Sequence, residues 1–380
     1  MKIVIAPDSF KGALSSIKIA NAMEEGIKRT LVDVEIIKVP MADGGEGTVE
    51  AMVEATGGRM VYTDVTGPLG DTVHSFYGIL GDGETAVIEM AAASGLPLVP
   101  IDQRNPLYTT TYGTGELIKH AIENKCTKVM MGIGGSATND GGMGMAQALG
   151  VRFFDKEGNK LALGGKELEK IQQIDMSGIH PNIADVEIKV ACDVTNPLWG
   201  ERGAAYVFGP QKGANPEIVE RLDKGLKHLS SVIQKELGKE IADLPGAGAA
   251  GGLGGGLVAF LNARLESGVQ MVIRSSKLEE KIKNADLVMT GEGKTDEQTA
   301  FGKVPFGVAQ IAKKYNVPVV CLSGALTEGA EKLYDHGITA LFSAVNKDMS
   351  LKEAMDHTDE LVKNASENIV RLFVATNIKK

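Results

Sequence analysis

The chain has 380 residues, 49 acidic and 40 basic side chains and a formal net charge of −9. That balance excludes the broad basic face of a nucleic-acid binder and leaves room only for a local basic pocket. Charged residues at 23% and hydrophobic residues at 43% exclude disorder as the main state, and the 47 glycines fall in many tight loops rather than in a repeat.

The length allows two or three domains at roughly 100–200 residues each. Residues 2–7 (KIVIAP) form a short apolar run closed by proline, which predicts a buried strand. Ile19, Met23 and Ile27 then recur at helical spacing, with Ser15 or Ser16 as the cap. A second strand is expected over 34–40 and a helix over 46–56. The end of the chain repeats this style, with strands over 286–290, 317–323 and 338–345 and helices over 304–315 and 328–336. A long amphipathic helix, 351–374, closes the chain with Leu361, Ile369, Leu372 and Phe373 as its buried stripe. Two strands from the start and three from the end make one five-stranded parallel sheet, with helices on both faces.

The middle reads as a second α/β unit. Strands are expected over 85–90, 128–133 and 186–192, and helices over 115–124, 139–149 and 216–237. The last of these shows Leu222, Leu226, Leu229 and Ile233 on one face. The expected fold is therefore two α/β domains. A discontinuous Rossmann- or flavodoxin-like domain takes 1–66 and 280–380, and an inserted α/β domain takes 67–279.

Chemistry is expected where strands end in loops rich in glycine, hydroxyls and charge, because ligands of open α/β sheets sit beyond the carboxyl ends of the strands. Five such loops stand out. Asp8-Ser9-Phe10-Lys11-Gly12 offers a carboxylate, a hydroxyl and an ammonium able to meet a small acid. The stretch 41–48, with Asp43, Gly44, Gly45 and Glu46, allows close backbone approach before a helix. The stretch 132–142 (GIGGSATNDGG) joins a strand to a helix and has the composition of an anion cradle. Asp193 ends a strand, where either a base, a metal ligand or a turn-forming carboxylate fits, and Lys212 follows in a Pro-Gln-Lys-Gly loop. The last loop, Gly291 to Asp296, contains Gly-Lys-Thr. It is not a P-loop, because the pattern needs a glycine at position 288 and valine stands there. Before it, 245–256 (PGAGAAGGLGGG) can either cradle a phosphate or pack closely.

Other chemistries find no support. The six histidines (74, 120, 180, 228, 336 and 357) show no zinc spacing, and no GxSxG elbow is present. Cys126, Cys192 and Cys321 are too few for a disulfide framework and suit a reducing cytoplasm. The N-terminus turns polar too early for a secretory signal, and 247–263 is too short and glycine-rich to span a membrane. Anion cradles, isolated lysines and loop carboxylates together form the kit of phosphoryl transfer: donors around phosphates, lysine for charge, and carboxylates for Mg²⁺ and the acceptor hydroxyl.

The strings APDSFKG (6–12), PMADGGEGT (40–48), GIGGSATNDGG (132–142), ACDVTNPL (191–198), FGPQKGA (208–214), PGAGAAGGLGGG (245–256) and TGEGKTDEQT (290–299) resemble class I glycerate kinase. The resemblance runs in order over nearly the whole chain. It implies two α/β domains, one inserted in the other, and phosphorylation of D-glycerate by ATP with Mg²⁺ to 2-phosphoglycerate in an interdomain cleft. Lys294 stands where related sequences often carry arginine, which keeps the charge and loses the bidentate fork. On this reading Asp193 is the first choice for the base, with Lys11 and Asp296 beside it as catalytic candidates. Asp8, Ser9, Ser136, Asn139, Lys212 and Lys294 bind substrate. Gly134, Gly135, Gly251 and Gly252 hold phosphate, and Asp43, Glu292 and Asp296 are the metal candidates. The expected partners are D-glycerate and ATP, without nucleic acid or membrane, and a homo-oligomer is compatible with the sequence. The rival readings are a kinase of another small hydroxy acid, a kinase forming 3-phosphoglycerate, and a regulatory module binding a phosphorylated metabolite.

Overall fold

A computed structural model describes residues 1–377. The chain divides into two compact units: one comprises 1–43, 50–57 and 269–380, the other 44–49 and 58–268. Eleven strands build their two main sheets. In chain order these are β1 (Lys2–Pro7), β2 (Glu35–Lys38), β3 (Arg59–Thr66), β4 (Thr72–Ile79), β5 (Thr85–Glu89), β6 (Lys128–Gly132), β7 (Glu187–Ala191), β8 (Arg264–Glu266), β9 (Leu287–Gly291), β10 (Val319–Ser323) and β11 (Ala340–Ser343).

The first unit holds a fully parallel five-stranded sheet in the order β11-β10-β9-β1-β2. β1 and β9 run in register from Ile3 opposite Leu287 to Pro7 opposite Gly291. β9 and β10 are buried throughout, as continuous apolar runs in a parallel sheet should be, whereas the edge strand β2 is half-exposed. Counted within the unit, the order is that of flavodoxin-like sheets, and its switch point falls between β1 and β9. The loops that leave these two strands, Asp8–Gly12 and Glu292–Asp296, therefore flank one crevice.

Helix α1 (Ser16–Lys28) begins on a Ser15 cap, whose hydroxyl accepts the Lys18 N–H, and buries Ile19, Met23 and Ile27. The expected closing helix is instead two, Leu351–Asp356 and Thr358–Asn377, broken where His357 leaves helical geometry (φ −109°, ψ 15°). Its buried face carries Leu361, Val362, Ile369 and Val370, whereas Leu372 is 58% exposed. The phase of the stripe follows the second helix alone. The expected helix near 328–336 is a 3₁₀ segment, Ala330–His336.

The second unit holds a six-stranded sheet in the order β8-β7-β6-β5-β4-β3. β5 to β8 are parallel, and β4 runs antiparallel to both neighbours. A long helix, Pro216–Leu237, starts on an Asn215 cap and ends at Gly238 in the left-handed region. It buries Leu222, Leu226, Leu229 and Ile233, as its spacing predicts.

The units divide differently from the expected boundaries at 66/67 and 279/280. Gly67-Pro68 begins a hairpin turn rather than a domain junction: Gly67 N–H donates to the Asp71 carbonyl at 2.6 Å, and β3 pairs with β4 along its length. Residues 59–66 thus join the second sheet, and 269–279 pack with the first unit. Among the described residues, no helix is long and apolar enough to cross a membrane. All three cysteines are free, with Cys126 and Cys321 buried.

Candidate active site

Each unit carries a polar cluster at the carboxyl ends of its strands. In the first unit, Asp8 leaves β1 and is only 8% exposed. Its Oδ1 accepts the Ser9 N–H at 2.7 Å. Burial, and then the charge of Asp43, push its carboxyl up to about 7, against a smaller opposing pull from the Ser9 amide and Lys11. Lys11 is exposed and reaches Asp43 Oδ2 at 3.3 Å. Asp43, then Asp8 and Glu292, hold its ammonium above the usual lysine range, outweighing burial. Lys11 is thus a persistent cation among three carboxylates.

Glu292 follows β9 and is buried. Its Oε1 accepts hydroxyl bonds from Thr299 at 2.5 Å and Thr295 at 3.1 Å. Burial raises its carboxyl, with those hydroxyls and Lys303 acting against the shift. Lys303 Nζ stands 3.7 Å from Glu292 Oε2 and 3.7 Å from Asp296 Oδ1, and Lys294 reaches Asp296 Oδ2 at 3.2 Å. Asp296 also caps the 3₁₀ turn Glu297–Phe301 by accepting the Gln298 N–H. Burial alone would raise its carboxyl; the Lys294 hydrogen bond and the Lys303 charge hold it below its ordinary value. A carboxylate so acidic is a poor general base near neutral pH. Behind this loop, Thr295 and Ser323 share a 2.7 Å hydroxyl bond.

In the second unit, the 132–142 loop leaves β6. Gly134 and Gly135 are exposed at its start. Ser136 is 8% exposed, and Thr138, Asn139 and Asp140 are fully buried. Asp140 is clamped by the Thr111 N–H at 2.8 Å, the Thr111 hydroxyl at 2.9 Å and the Gly142 and Gly144 N–H groups at 3.1 and 3.2 Å. Burial raises its carboxyl against those donors. Neither side-chain amide atom of Asn139 has a partner, and the Thr138 hydroxyl has none.

Three expected ligand residues, Lys212, Gly251 and Gly252, are buried. Lys212 is 1% exposed and points inward, donating to Ser136 Oγ at 2.8 Å and to the Thr138 carbonyl at 2.6 Å. Burial pulls its ammonium down to about 7, with Asp140 opposing. In this position its ammonium is turned to the protein interior. Gly251 and Gly252 are buried with positive φ against the same loop, and Gly141 N–H donates to the Gly251 carbonyl at 3.1 Å. A β-carbon on Gly251 would lie 1.9 Å from the Thr138 oxygen. These glycines allow close packing between two loops.

Asp193 is exposed beyond β7, and its Oδ1 accepts the Gly268 N–H at 3.2 Å. Gly44 packs between Ala191 and Gly268, and the Gly44 carbonyl lies against Gly132. Val49 N–H donates to the buried Glu89 at 2.9 Å. The fold therefore brings together Asp8, Lys11, Asp43, Glu292, Lys294 and Asp296 in one unit, and Ser136, Asn139, Lys212, Gly251 and Gly252 in the other. Thr111, Thr299 and Lys303 join these clusters outside the motifs that composition picks out. The run of three threonines before the helix at Tyr112–Glu123 was the available signal for the first of these.

A flavodoxin-ordered unit charged at its switch point and a second α/β unit bearing a glycine-rich strand-end loop make an α/β protein with two strand-end clusters suited to anionic ligands. The chain matches the family model described as "Glycerate kinase family" over residues 3–374, and it belongs to that family. It is 52% identical to the glycerate kinase of Halalkalibacterium halodurans over 97% of both chains. It is likewise 52% identical to the glycerate 2-kinase of Escherichia coli (strain K12), again over 97% of both. The crystal structure of a candidate glycerate kinase 2 from Salmonella typhimurium LT2 superposes with a TM-score of 0.91 at 51% identity, covering 99% of each chain. The protein is a kinase.

Proposed function

We propose that this protein transfers the terminal phosphoryl group of ATP to the 2-hydroxyl of D-glycerate, releasing 2-phosphoglycerate and ADP. The observation that carries this reading is the 52% identity to a glycerate 2-kinase across 97% of both chains. Within it, Lys11 and Ser9 meet the carboxylate of glycerate, and Asp8 orients a hydroxyl. Near neutral pH an Asp8 carboxyl at about 7 offers both a donor and an acceptor for that task. Asp193 accepts the hydroxyl proton. Asp296 is the weaker alternative, because its lysine partners keep it acidic. Lys294, exposed at the Glu292–Asp296 loop, neutralises charge on the transferred group. Gly134 and Gly135 leave backbone open to an anion at the end of β6. The unpaired cysteines suit a reducing cytoplasm.

Among the described residues no group of three or more acidic, histidine or cysteine side chains is arranged to hold a metal ion, so Mg²⁺ would be held by one or two of the first unit's carboxylates together with water and the ATP phosphates. Asp8, Asp43 and Glu292 interact repulsively, and a hard cation with oxygen ligands relieves such crowding. Asp43, Glu292 and Asp296 are the candidate holders. Mg²⁺ keeps several waters, so one or two direct carboxylates suffice. When bound, the ion neutralises charge on the phosphate oxygens.

The test is an ADP-release assay with D-glycerate, ATP and Mg²⁺, the product being identified by ³¹P NMR. The expected product is phosphorylated at the 2-hydroxyl. A 3-phosphorylated product would overturn the regiochemistry. Turnover only with lactate, tartronate or shikimate would overturn the substrate.

A further inference from the structure

Lys212 presents a physical problem. It is a buried ammonium whose two hydrogen-bond acceptors are neutral, the Ser136 hydroxyl and the Thr138 carbonyl. Burying a charge is costly unless it is paired. The nearby carboxylate, Asp140, spends its oxygens on Thr111 and on the Gly142 and Gly144 amides. A lysine kept here only for packing would be better replaced by an apolar side chain of similar volume.

The geometry of Ser136 supplies a reason. In its ammonium form, which it holds fully only below about pH 7, Lys212 has only donors, so Ser136 Oγ accepts its bond. The hydroxyl's own proton then points elsewhere, and among the described residues no acceptor for it is present. Ser136 keeps a small open surface beside the exposed Gly134 and Gly135. Its bond from a charged donor polarises the O–H outward, since chained hydrogen bonds strengthen one another. In the same loop, both amide atoms of the fully buried Asn139 are unpartnered.

We infer that Lys212 is a positioning residue that delivers its charge through Ser136, making the Ser136 O–H a charge-assisted donor to an oxyanion at the end of β6. The inference deepens the kinase reading, which supplies two oxyanions, the glycerate carboxylate and the ATP phosphates. The shared chemistry is an anionic oxygen accepting one strong hydrogen bond. Lys212 itself never meets the ligand. Its positive charge is felt there because a hydroxyl bonded to it becomes a better donor.

The experiment is a double-mutant cycle on the full chain with Ser136→Ala, Lys212→Met and the double variant. Dissociation constants are measured by calorimetry for D-glycerate, for ATP and for inorganic phosphate. Ser136→Ala should weaken one of the two substrates by about tenfold or more, the scale of a hydrogen bond with charge behind it. The substrate affected identifies which oxyanion the site takes. Ser136→Thr, which keeps the hydroxyl, should recover most of that affinity. Lys212→Met should weaken the same ligand in the parent but add nothing in the Ser136→Ala background. A merely structural lysine would weaken binding equally in both backgrounds, which overturns the relay. Affinities within twofold of the parent for all three ligands in Ser136→Ala overturn the site. If Lys212→Met does not fold, Lys212→Gln, which keeps a donor without the charge, takes its place in the cycle, and a loss of affinity that persists in the Ser136→Ala background overturns the relay. Inorganic phosphate separates the two readings: its binding lost in Ser136→Ala, with glycerate inert toward the parent protein, would overturn the substrate and keep the site.

Discussion

Gly251 stands so close to Thr138 that a β-carbon on it would lie 1.9 Å from the threonine's carbonyl oxygen. That oxygen is the one Lys212 engages, so two loops and a buried lysine meet at a single carbonyl. Gly251 also has a φ of +69°, which an L side chain adopts only with strain. Gly251→Ala is therefore expected to cost about 3 kcal/mol or more, as overpacking and strain combine. Gly57 is the control, because its φ is +68° but nothing lies within 4 Å of its β-position. Gly57→Ala should cost only about 1 kcal/mol. Urea unfolding of the two variants checks this, and equal losses would refute the packing role.

Asp8 makes the stability of the fold pH-dependent with a definite sign. Its carboxyl titrates near 7 when folded, because burial and Asp43 oppose its charge, against 3.8 when free. A raised folded value means that the proton stabilises the folded state. The contribution is fully present below about pH 4 and is lost as pH rises through about 7. Asp8→Asn removes this titration. The variant's advantage over the parent should grow from pH 5 to pH 8 by about 2.7 kcal/mol, the two units between pH 5 and the folded value at 1.36 kcal/mol per unit. Denaturation curves at several pH values without Mg²⁺ would show it. A difference independent of pH would mean that Asp8 is ionised throughout.

Thr111 is the hinge of the Asp140 clamp. Its hydroxyl donates to Asp140 Oδ2 and accepts the Met145 N–H, each at 2.9 Å. Thr111→Val keeps the shape, leaves the Met145 N–H without a partner and strips a donor from a buried carboxylate. The expected loss is about 2 kcal/mol. A loss under about 0.5 kcal/mol in urea would show that water replaces the hydroxyl.

The parallel sheets were legible in the sequence because their central strands are apolar runs such as VVCLS, and the loops after them could be placed at strand ends without knowing the fold. The β3–β4 hairpin was not. β3 is a half-exposed edge strand, β4 beside it is buried only in its second half, and Gly67-Pro68 marks a hairpin turn as readily as a boundary. The loop carboxylates were found by composition, but their environments were not. Nothing in Pro-Gln-Lys-Gly says that Lys212 turns inward. Its burial arises from the Gly251 and Ser136 loops closing over it, contacts separated by tens of residues. The glycines of 245–256 were read as ligand-facing or packing with equal reason. Only their β-positions against the Thr138 and Gly141 backbone decide for packing.

Glu292 links the metal reading to a measurable requirement. Glu292→Gln keeps an oxygen that accepts from Thr295 and Thr299 but removes the charge facing Lys303. If Glu292 helps to hold Mg²⁺, half-saturation by Mg²⁺ should rise about tenfold, while the fold stays within about 1 kcal/mol of the parent. Titrating Mg²⁺ in the coupled assay at saturating ATP reads this directly. An unchanged Mg²⁺ dependence would assign Glu292 to loop structure alone, since Thr295, Thr299 and Lys303 already account for its contacts.

Asp193 separates base from anchor. Its Oδ1 accepts the Gly268 N–H, and asparagine keeps an oxygen able to do the same. Asp193→Asn should therefore fold like the parent. What it loses is a carboxylate able to take the proton of the attacking hydroxyl. Loss of a general base lowers turnover by about 10²-fold or more, and it does so in kcat because proton transfer occurs in the transition state. The KM for glycerate should change little. Steady-state kinetics with D-glycerate varied at saturating ATP and Mg²⁺ distinguish the alternatives. A kcat near that of the parent with a raised KM would make Asp193 a binding group. The base would then have to be sought at Asp8, whose carboxyl near 7 is already tuned for proton exchange, before the more acidic Asp296.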